Sequence, residues 1–264
     1  MISLLYKIGA FCINSLLTVG EVTVFCYRAL AITLKPPYDY KLISEQVYEI
    51  GVKSILIVIV SALSIGMVMV VQLSWGFAWF GAKGLVGPVV TLSFVRELGP
   101  VVTSLLVGGR VGSGITAEIG SMNVTEQIDA IKTLGADPIK KLVAPRIWAA
   151  MISFPLLAII SNLAGILGAM IISSIDLDIG PQLFLTSTRE WVGIDDFISG
   201  ISKTFFFGLI VVFTGCYIGM NAKGGTQGVG RATTRTVVVS LLLIIISDFL
   251  LSKLFVILLY GGVT

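Results

Sequence analysis

The sequence predicts an all-α integral membrane protein, with an interfacial helix at the N-terminus and five transmembrane helices after it. Three observations carry that class. Of the 264 residues 56% are hydrophobic and 12% charged, against roughly 25% charged in an average soluble domain. So much apolar side chain exceeds what a soluble interior hides, and lipid is the expected solvent. Five segments have the length and apolarity of a spanning helix, about 20 residues each. Lysine and arginine crowd the connections on one side. Composition also excludes chemistry. With no histidine in the chain, imidazole is missing as general base and as metal ligand, which removes His-dependent triads. Cys12, Cys26 and Cys216 are scattered without a C-x-x-C pair, so neither a disulfide framework nor a metal knuckle is expected. A net charge of +3 is too small to point to nucleic acid.

The elements follow in order. Residues 8–34 are apolar but hold Asn14, Glu21 and Arg28, and they end at Lys35-Pro36-Pro37, which stops a helix. A helix in the headgroup plane tolerates such charges better than a lone span does. Residues 1–53 are therefore read as interfacial and elbow helices, with spanning as the alternative. No multi-lysine n-region or A-x-A-like site marks a removable signal peptide. The first span is 54–75, uncharged. The second, 85–109, is apolar except for Arg96 and Glu97; the third, 147–175, is long and uncharged. The fourth, 201–220, carries Lys203 near its start, and the fifth, 237–260, carries Asp248 and Lys253. One side then receives 1–53, 110–146 and 221–236, with thirteen lysines and arginines. The opposite loops, 176–197 among them, hold two, Lys83 and Arg189. By the positive-inside rule the N-terminus is cytoplasmic and the C-terminus lies outside.

The cytoplasmic loop 121–146 is punctuated. Asn123 with Glu126 three residues on reads as a capping box. Val124, Ile128, Ile131 and Leu134 recur at helical spacing, opposite Glu126, Gln127, Asp129 and Lys132. Gly135 ends that helix, Asp137 caps the next with Pro138 at its first position, and Pro145 opens span three. Such a helix rests on the membrane surface, or it docks in the groove of a cytoplasmic partner. The string Asp129-Ala130-Ile131-x-x-x-Gly135 loosely resembles the acidic-Ala-Ala-x-x-x-Gly loop through which ABC importer permeases engage their ATPases.

Charges at the bilayer centre cost about 2.5–3.5 kcal/mol each on insertion scales, so they persist when paired or when they line a wet or ligand-filled path. Arg96 and Glu97 lie about 16 Å into span two, and Asp248 at similar depth in span five, at 1.5 Å per residue; Lys203 is shallower. Helix neighbours point about 100° apart, so Arg96 and Glu97 cannot satisfy each other. Pairing Arg96 with Asp248 and Glu97 with Lys203 makes the set neutral. Pro100 cannot donate to the Arg96 carbonyl, so span two is expected to bend there and free that carbonyl beside the charges. The set either fixes helix register or lines a transport path. Lys253 can snorkel outward.

Gly108, Gly112 and Thr116 form a small-residue stripe for close helix approach, as do Ser113 and Ala117. Gly112-x-Gly114-x-x-Ala117 matches a dinucleotide fingerprint only formally, because no βαβ unit surrounds it. Gly224-Gly225-x-x-Gly228-x-Gly230 reads as a flexible cytoplasmic turn and lacks the Gly-Lys-Ser/Thr ending of a P-loop. No metal site and no catalytic constellation is expected. If ATP drives this chain, another polypeptide hydrolyses it.

Four segments carry a family resemblance: Phe94-Val-Arg-Glu-Leu-Gly-Pro-Val-Val102, Gly109-Arg-Val-Gly-Ser-Gly-Ile-Thr-Ala-Glu-Ile-Gly120, Glu126-Gln-Ile-Asp-Ala130 and Gly230-Arg-Ala-Thr-Thr-Arg-Thr-Val-Val238. From about residue 45 onward the chain resembles the MlaE/YrbE permeases of ABC transporters. The resemblance implies a homodimer in the inner membrane of double-membraned bacteria. It implies a cytoplasmic MlaF-like ATPase, an MlaD-like MCE-domain periplasmic ring, an MlaB-like STAS-domain protein, and glycerophospholipid as cargo. The family has an N-terminal interfacial helix, five spans and a cytoplasmic coupling helix between spans two and three. Here that helix corresponds to Glu126, Ile128, Asp129, Ile131, Leu134 and Gly135, and the family's intramembrane charges correspond to Arg96, Glu97, Lys203 and Asp248. No cofactor is expected on this chain, ATP being used by the partner. Position and apolarity choose Leu63, Met67, Val70, Val71, Leu73, Trp75, Phe77 and Leu98 as candidate walls of a lipid cavity. A YrbE-type permease for sterols or other hydrophobic compounds shares every motif. A proton-coupled secondary transporter would use Glu97 and Asp248 as carriers.

Overall fold

The computed structural model describes residues 2–261; the side chains at 1–12, 14, 15, 78, 259 and 260 fall outside the description, Cys12 and Asn14 among them. Ten α-helices follow one another among the described residues, and no strand interrupts them. They are α1 (Ile2–Thr33), α2 (Tyr40–Ile50), α3 (Ile55–Ala78), α4 (Val86–Ser93) and α5 (Gly99–Val124). After these come α6 (Gln127–Thr133), α7 (Ala144–Asp176), α8 (Pro181–Trp191), α9 (Ile194–Met220) and α10 (Gly225–Tyr260). Among the described residues six stretches are long and apolar enough to cross a membrane: the five expected spans and part of α1, Leu16–Thr33.

Most helices outrun the apolar runs that announced them. Apolarity marks only the part inside hydrocarbon, whereas backbone hydrogen bonding continues beyond it. Thus α10 begins at Gly225, and the turn expected at 221–236 shrinks to the residues around Gly224 and Gly225, both at positive φ. The outer segment 176–197 contains a helix of its own, α8, whose Phe184 is buried against Val86, Val90 and Val70.

Span two is α4 and α5 joined through a π turn, Phe94–Leu98. Pro100 removes one donor and crowds the turn before it. The Gly99 N–H reaches back five residues to the Phe94 carbonyl, and the turn widens. The same device recurs before Pro145, where the Ala144 N–H bonds the Ile139 carbonyl across the π turn Ile139–Val143.

In lipid, helices associate through close packing rather than hydrophobic expulsion. A Cβ on Gly66 would lie 2.0 Å from the Gly165 carbonyl oxygen, so α3 and α7 touch backbone to backbone. The predicted Gly108–Gly112–Thr116 stripe meets α9 and α10: Gly108 faces Val211 and Ile244, and the Thr116 hydroxyl lies 2.7 Å from that of Thr236. Ser113 instead turns its hydroxyl onto its own helix, to the Gly109 carbonyl. The main core lies where α5, α7 and α9 meet, around Val107, Ile115, Phe154, Phe207 and Val211.

The end of α1 lies across the bundle rather than along it. The Glu21 carboxylate accepts the Tyr217 hydroxyl (3.0 Å) at the finish of α9. Twelve residues later the Thr33 carbonyl accepts Trp148 Nε1 (3.2 Å) at the start of α7. Because α7 and α9 are antiparallel, both contacts are at the same end, that of α6.

Candidate functional site

The π turn sends Arg96 and Glu97 to different partners. Arg96 Nε lies 2.6 Å from Asp196 Oδ1 in the first turn of α9. The other oxygen of Asp196 accepts the Gly193 N–H (2.8 Å) and caps that helix. The expected Arg96–Asp248 pair is therefore not formed. Arg96 turns towards the beginning of α9, and Asp248 belongs to a different cation.

That cation is Lys203, whose side chain is 2% exposed. Its Nζ lies 2.6 Å from Glu97 Oε2 and 3.2 Å from Asp248 Oδ1. A third bond runs to Ser252 Oγ at 2.7 Å. All three ammonium donors are used. Ser252 Oγ in turn donates to Glu97 Oε1 at 3.0 Å. The Glu97–Lys203 pair expected from the sequence is present. Lys203 is deeper than expected, because α9 starts at Ile194 and so places it about 14 Å in, at 1.5 Å per residue. Neither Asp196 nor Ser252 stood among the expected site residues. Ser252 was visible in principle, four residues from Asp248 and on the same helical face.

The cluster is sealed on one side and open on the other. The Glu97 side chain is 44% exposed, beside an α10 surface on which Leu242, Ile245, Ile246 and Phe249 are all uncovered. Gly200 sets the spacing beneath it: a Cβ there would stand 2.1 Å from the Val95 carbonyl oxygen inside the π turn. Only hydrogen at this position lets α9 approach close enough for Lys203 to meet Glu97.

The candidate cavity walls do not converge on one cavity. Val70 is fully buried, and Leu73 and Phe77 pack against the same group, which α8 covers through Phe184. Val70 is thus a packing residue, a correction to its reading as a wall, and its cause is the helix in segment 176–197. Leu98 packs against Ala62, Phe94 and Ala164. Leu63 presents its backbone to Gly168, and Met67 is half-buried. Val71 is exposed, and Trp75 lines a shallow groove with Trp79 and Lys83.

The loop helix is also differently framed. Helix α5 runs to Val124, and Asn123 Nδ2 donates to the Ala222 carbonyl (3.0 Å) instead of capping α6. Glu126 stands at φ +61° before α6 and makes no capping box. The reason is continuity: α5 leaves no free N-terminus at Asn123 to cap. Ile128 is buried and Ile131 half-buried, while Leu134 is 85% exposed. Asp129 pairs with Lys132 at 2.8 Å on the outer face. Gly135, at φ +77°, ends the helix, and Asp137 Oδ1 accepts the Ile139 N–H (2.9 Å), both as expected.

Two cations near this end had no role assigned. Arg146 is 3% exposed and lies 2.6 Å from Glu118 Oε2, joining α7 to α5. Arg110 donates to Ser54 Oγ (2.7 Å) and to the Glu49 carbonyl (3.1 Å), joining α5 to α2. Both fall in the segment 110–146 that the sequence reads as a cytoplasmic connection, yet Arg110 lies in α5 and Arg146 in α7.

Comparison with known proteins adds family context to this geometry. A family model described as Permease MlaE matches residues 43–254. A probable ABC transporter permease of Rickettsia prowazekii is 40% identical over 255 residues, covering 97% of this chain and 98% of the relative. One from Synechocystis is 42% identical over 210 residues, 80% of each chain. The intermembrane phospholipid transport system permease protein MlaE of Haemophilus influenzae is 34% identical over 254 residues, covering 92% of this chain and 97% of the relative.

Proposed function

This chain belongs to the MlaE permease family, and from that premise we propose that it moves glycerophospholipids between the inner membrane and periplasmic MCE proteins, as the membrane subunit of an ABC transporter. The observation that carries the reading is Glu97. A carboxylate half-open at mid-depth, on an otherwise apolar face, must meet water, protein or a polar cargo rather than hydrocarbon. A second copy packed on α10 and a lipid headgroup in the seam together meet that need. Acyl tails contribute about 0.8 kcal/mol per buried CH₂, while the phosphate finds Arg96 within reach.

In this reading the chain catalyses no covalent step and binds no nucleotide. A separate MlaF-like ATPase supplies the energy through α6, with MlaB-like and MlaD-like subunits on the two sides. The N-terminus is cytoplasmic, the C-terminus periplasmic, and the end of α1 lies in the headgroup plane. Lipid export or retrieval by such an assembly maintains outer-membrane asymmetry.

Lipid transfer by the reconstituted complex tests the path. Arg96→Ala and Glu97→Ala are each expected to lower transfer by about tenfold or more, the factor that ~1.4 kcal/mol of barrier corresponds to, with the ATPase still bound. Unchanged transfer in both variants assigns the cluster to helix register alone. Docking is tested separately. Leu134→Asp, at a site already open to solvent, should leave folding within about 0.5 kcal/mol yet reduce the ATPase recovered on co-purification in mild detergent. Full recovery would remove α6 from the docking surface.

A further inference from the structure

A second polar site lies at the α6 end of the bundle, apart from the ion cluster. A cavity of about 400 Å³ opens between the finish of α1, the start of α2, the loop after Gly135 and the first turns of α7. That volume is within the range of small-ligand sites. Its aromatic walls are held in place. Trp148 donates to the Thr33 carbonyl (3.2 Å) and meets the Tyr38 ring edge-on at 6.1 Å, while Tyr38 Oη donates to the Leu34 carbonyl (3.0 Å).

The charges around the cavity are unevenly satisfied. Lys35, Lys140 and Lys141 line it, and none of them forms an ion pair among the described residues. Its two acids are engaged elsewhere. Asp39 accepts the Leu42 N–H (3.3 Å) to cap α2. Asp137 accepts the Ile139 N–H and holds Arg28 at 3.3 Å. Three ammonium groups without an ion-pair partner, set over aromatic walls, make a receptor for a phosphate.

The surroundings specify what carries that phosphate. From Trp148 an exposed stripe of Ile152, Leu156, Ile159 and Leu163 runs along α7 towards the bilayer interior. A basic pocket continuous with an uncovered apolar track fits an anionic amphiphile better than a soluble ion or a polar polypeptide. We propose that this pocket binds the headgroup phosphate of an anionic glycerophospholipid from the leaflet at the lysine-rich end, with its acyl chains along α7. The bound lipid ties α1, α2 and the loop after α6 together, outside the cargo path.

The test uses the full chain in nanodiscs containing phosphatidylglycerol with a diazirine on its acyl chain, with cross-links mapped by mass spectrometry. Labelling is expected within residues 142–163. It should fall at least tenfold in K35Q/K140Q/K141Q, since each near-surface lysine contributes about 1 kcal/mol, and persist in K35R/K140R/K141R. Phosphatidylcholine carrying the same group should label weakly, and Arg96→Ala should leave the labelling intact. Equal labelling by the two lipids, or no loss in the glutamine variant, overturns the proposal. Abolition by millimolar inorganic phosphate makes free phosphate the ligand and overturns it too. Loss of ATPase binding with unchanged labelling in the glutamine variant gives the pocket to a protein partner. Loss of labelling in Arg96→Ala shows that the probe reports the cargo path instead.

Discussion

Replacing Lys203 by methionine is expected to destabilise the bundle by about 3–5 kcal/mol, the range for removing one partner of a buried ion pair. Methionine nearly conserves the volume, so the loss reports charge rather than packing. Without the ammonium that both contact, Glu97 and Asp248 are left with no cation between them. A detergent-denaturation series measures the effect. The triple variant K203M/E97Q/D248N, which removes the stranded carboxylates as well, should recover most of the loss. A Lys203→Met protein as stable as the parent would show that the cluster is solvated and contributes nothing to the fold.

Gly200→Ala is the second large effect. The new methyl carbon would stand 2.1 Å from the Val95 carbonyl oxygen and 3.2 Å from Pro100 Cγ. Backbone cannot rotate out of the way as a side chain can, so α9 must withdraw from the π turn. Overpacking of this kind costs about 1–3 kcal/mol. The withdrawal also lengthens the Lys203–Glu97 and Arg96–Asp196 contacts, so transport should fall further than stability. Gly109→Ala is the matched control. Among the described residues nothing lies within 4 Å of a Cβ there, and alanine in a helix interior is favoured over glycine by about 0.5–1 kcal/mol. Equal stability loss in the two variants would refute the close-approach account.

How far the sequence disclosed this architecture depends on which force placed each part. The spans were legible because transfer into hydrocarbon acts on every residue of a run, and uncharged stretches such as 54–75 have no other reading. The small-residue stripe at Gly108, Gly112 and Thr116 was legible for a related reason, since periodic absence of side chain has a geometric meaning. Helix α8 was not. It is short and its apolar content is modest, so only tertiary packing of Phe184 reveals it. The site divides in the same way. Glu97 and Lys203 announced each other by opposite charge in apolar runs. Asp196 stayed hidden because it sits where α9 continues past its hydrophobic stretch, among acids that resemble an outer loop. Asn123 misled for the converse reason: it has the chemistry of a cap, but α5 runs through it.

Helix α5 extends without interruption from Gly99, against the π turn, to Val124, one residue short of the loop that leads into α6. Its 26 residues make a rod about 39 Å long, at 1.5 Å per residue. A stiff lever of that length transmits force rather than absorbing it. A push at Thr125 that pivots the rod by about 5° displaces its far end by about 3 Å over that span, more than the length of the Lys203–Glu97 contact. The widened turn ahead of Pro100 adjoins that far end, and Arg96 and Glu97 are mounted on it.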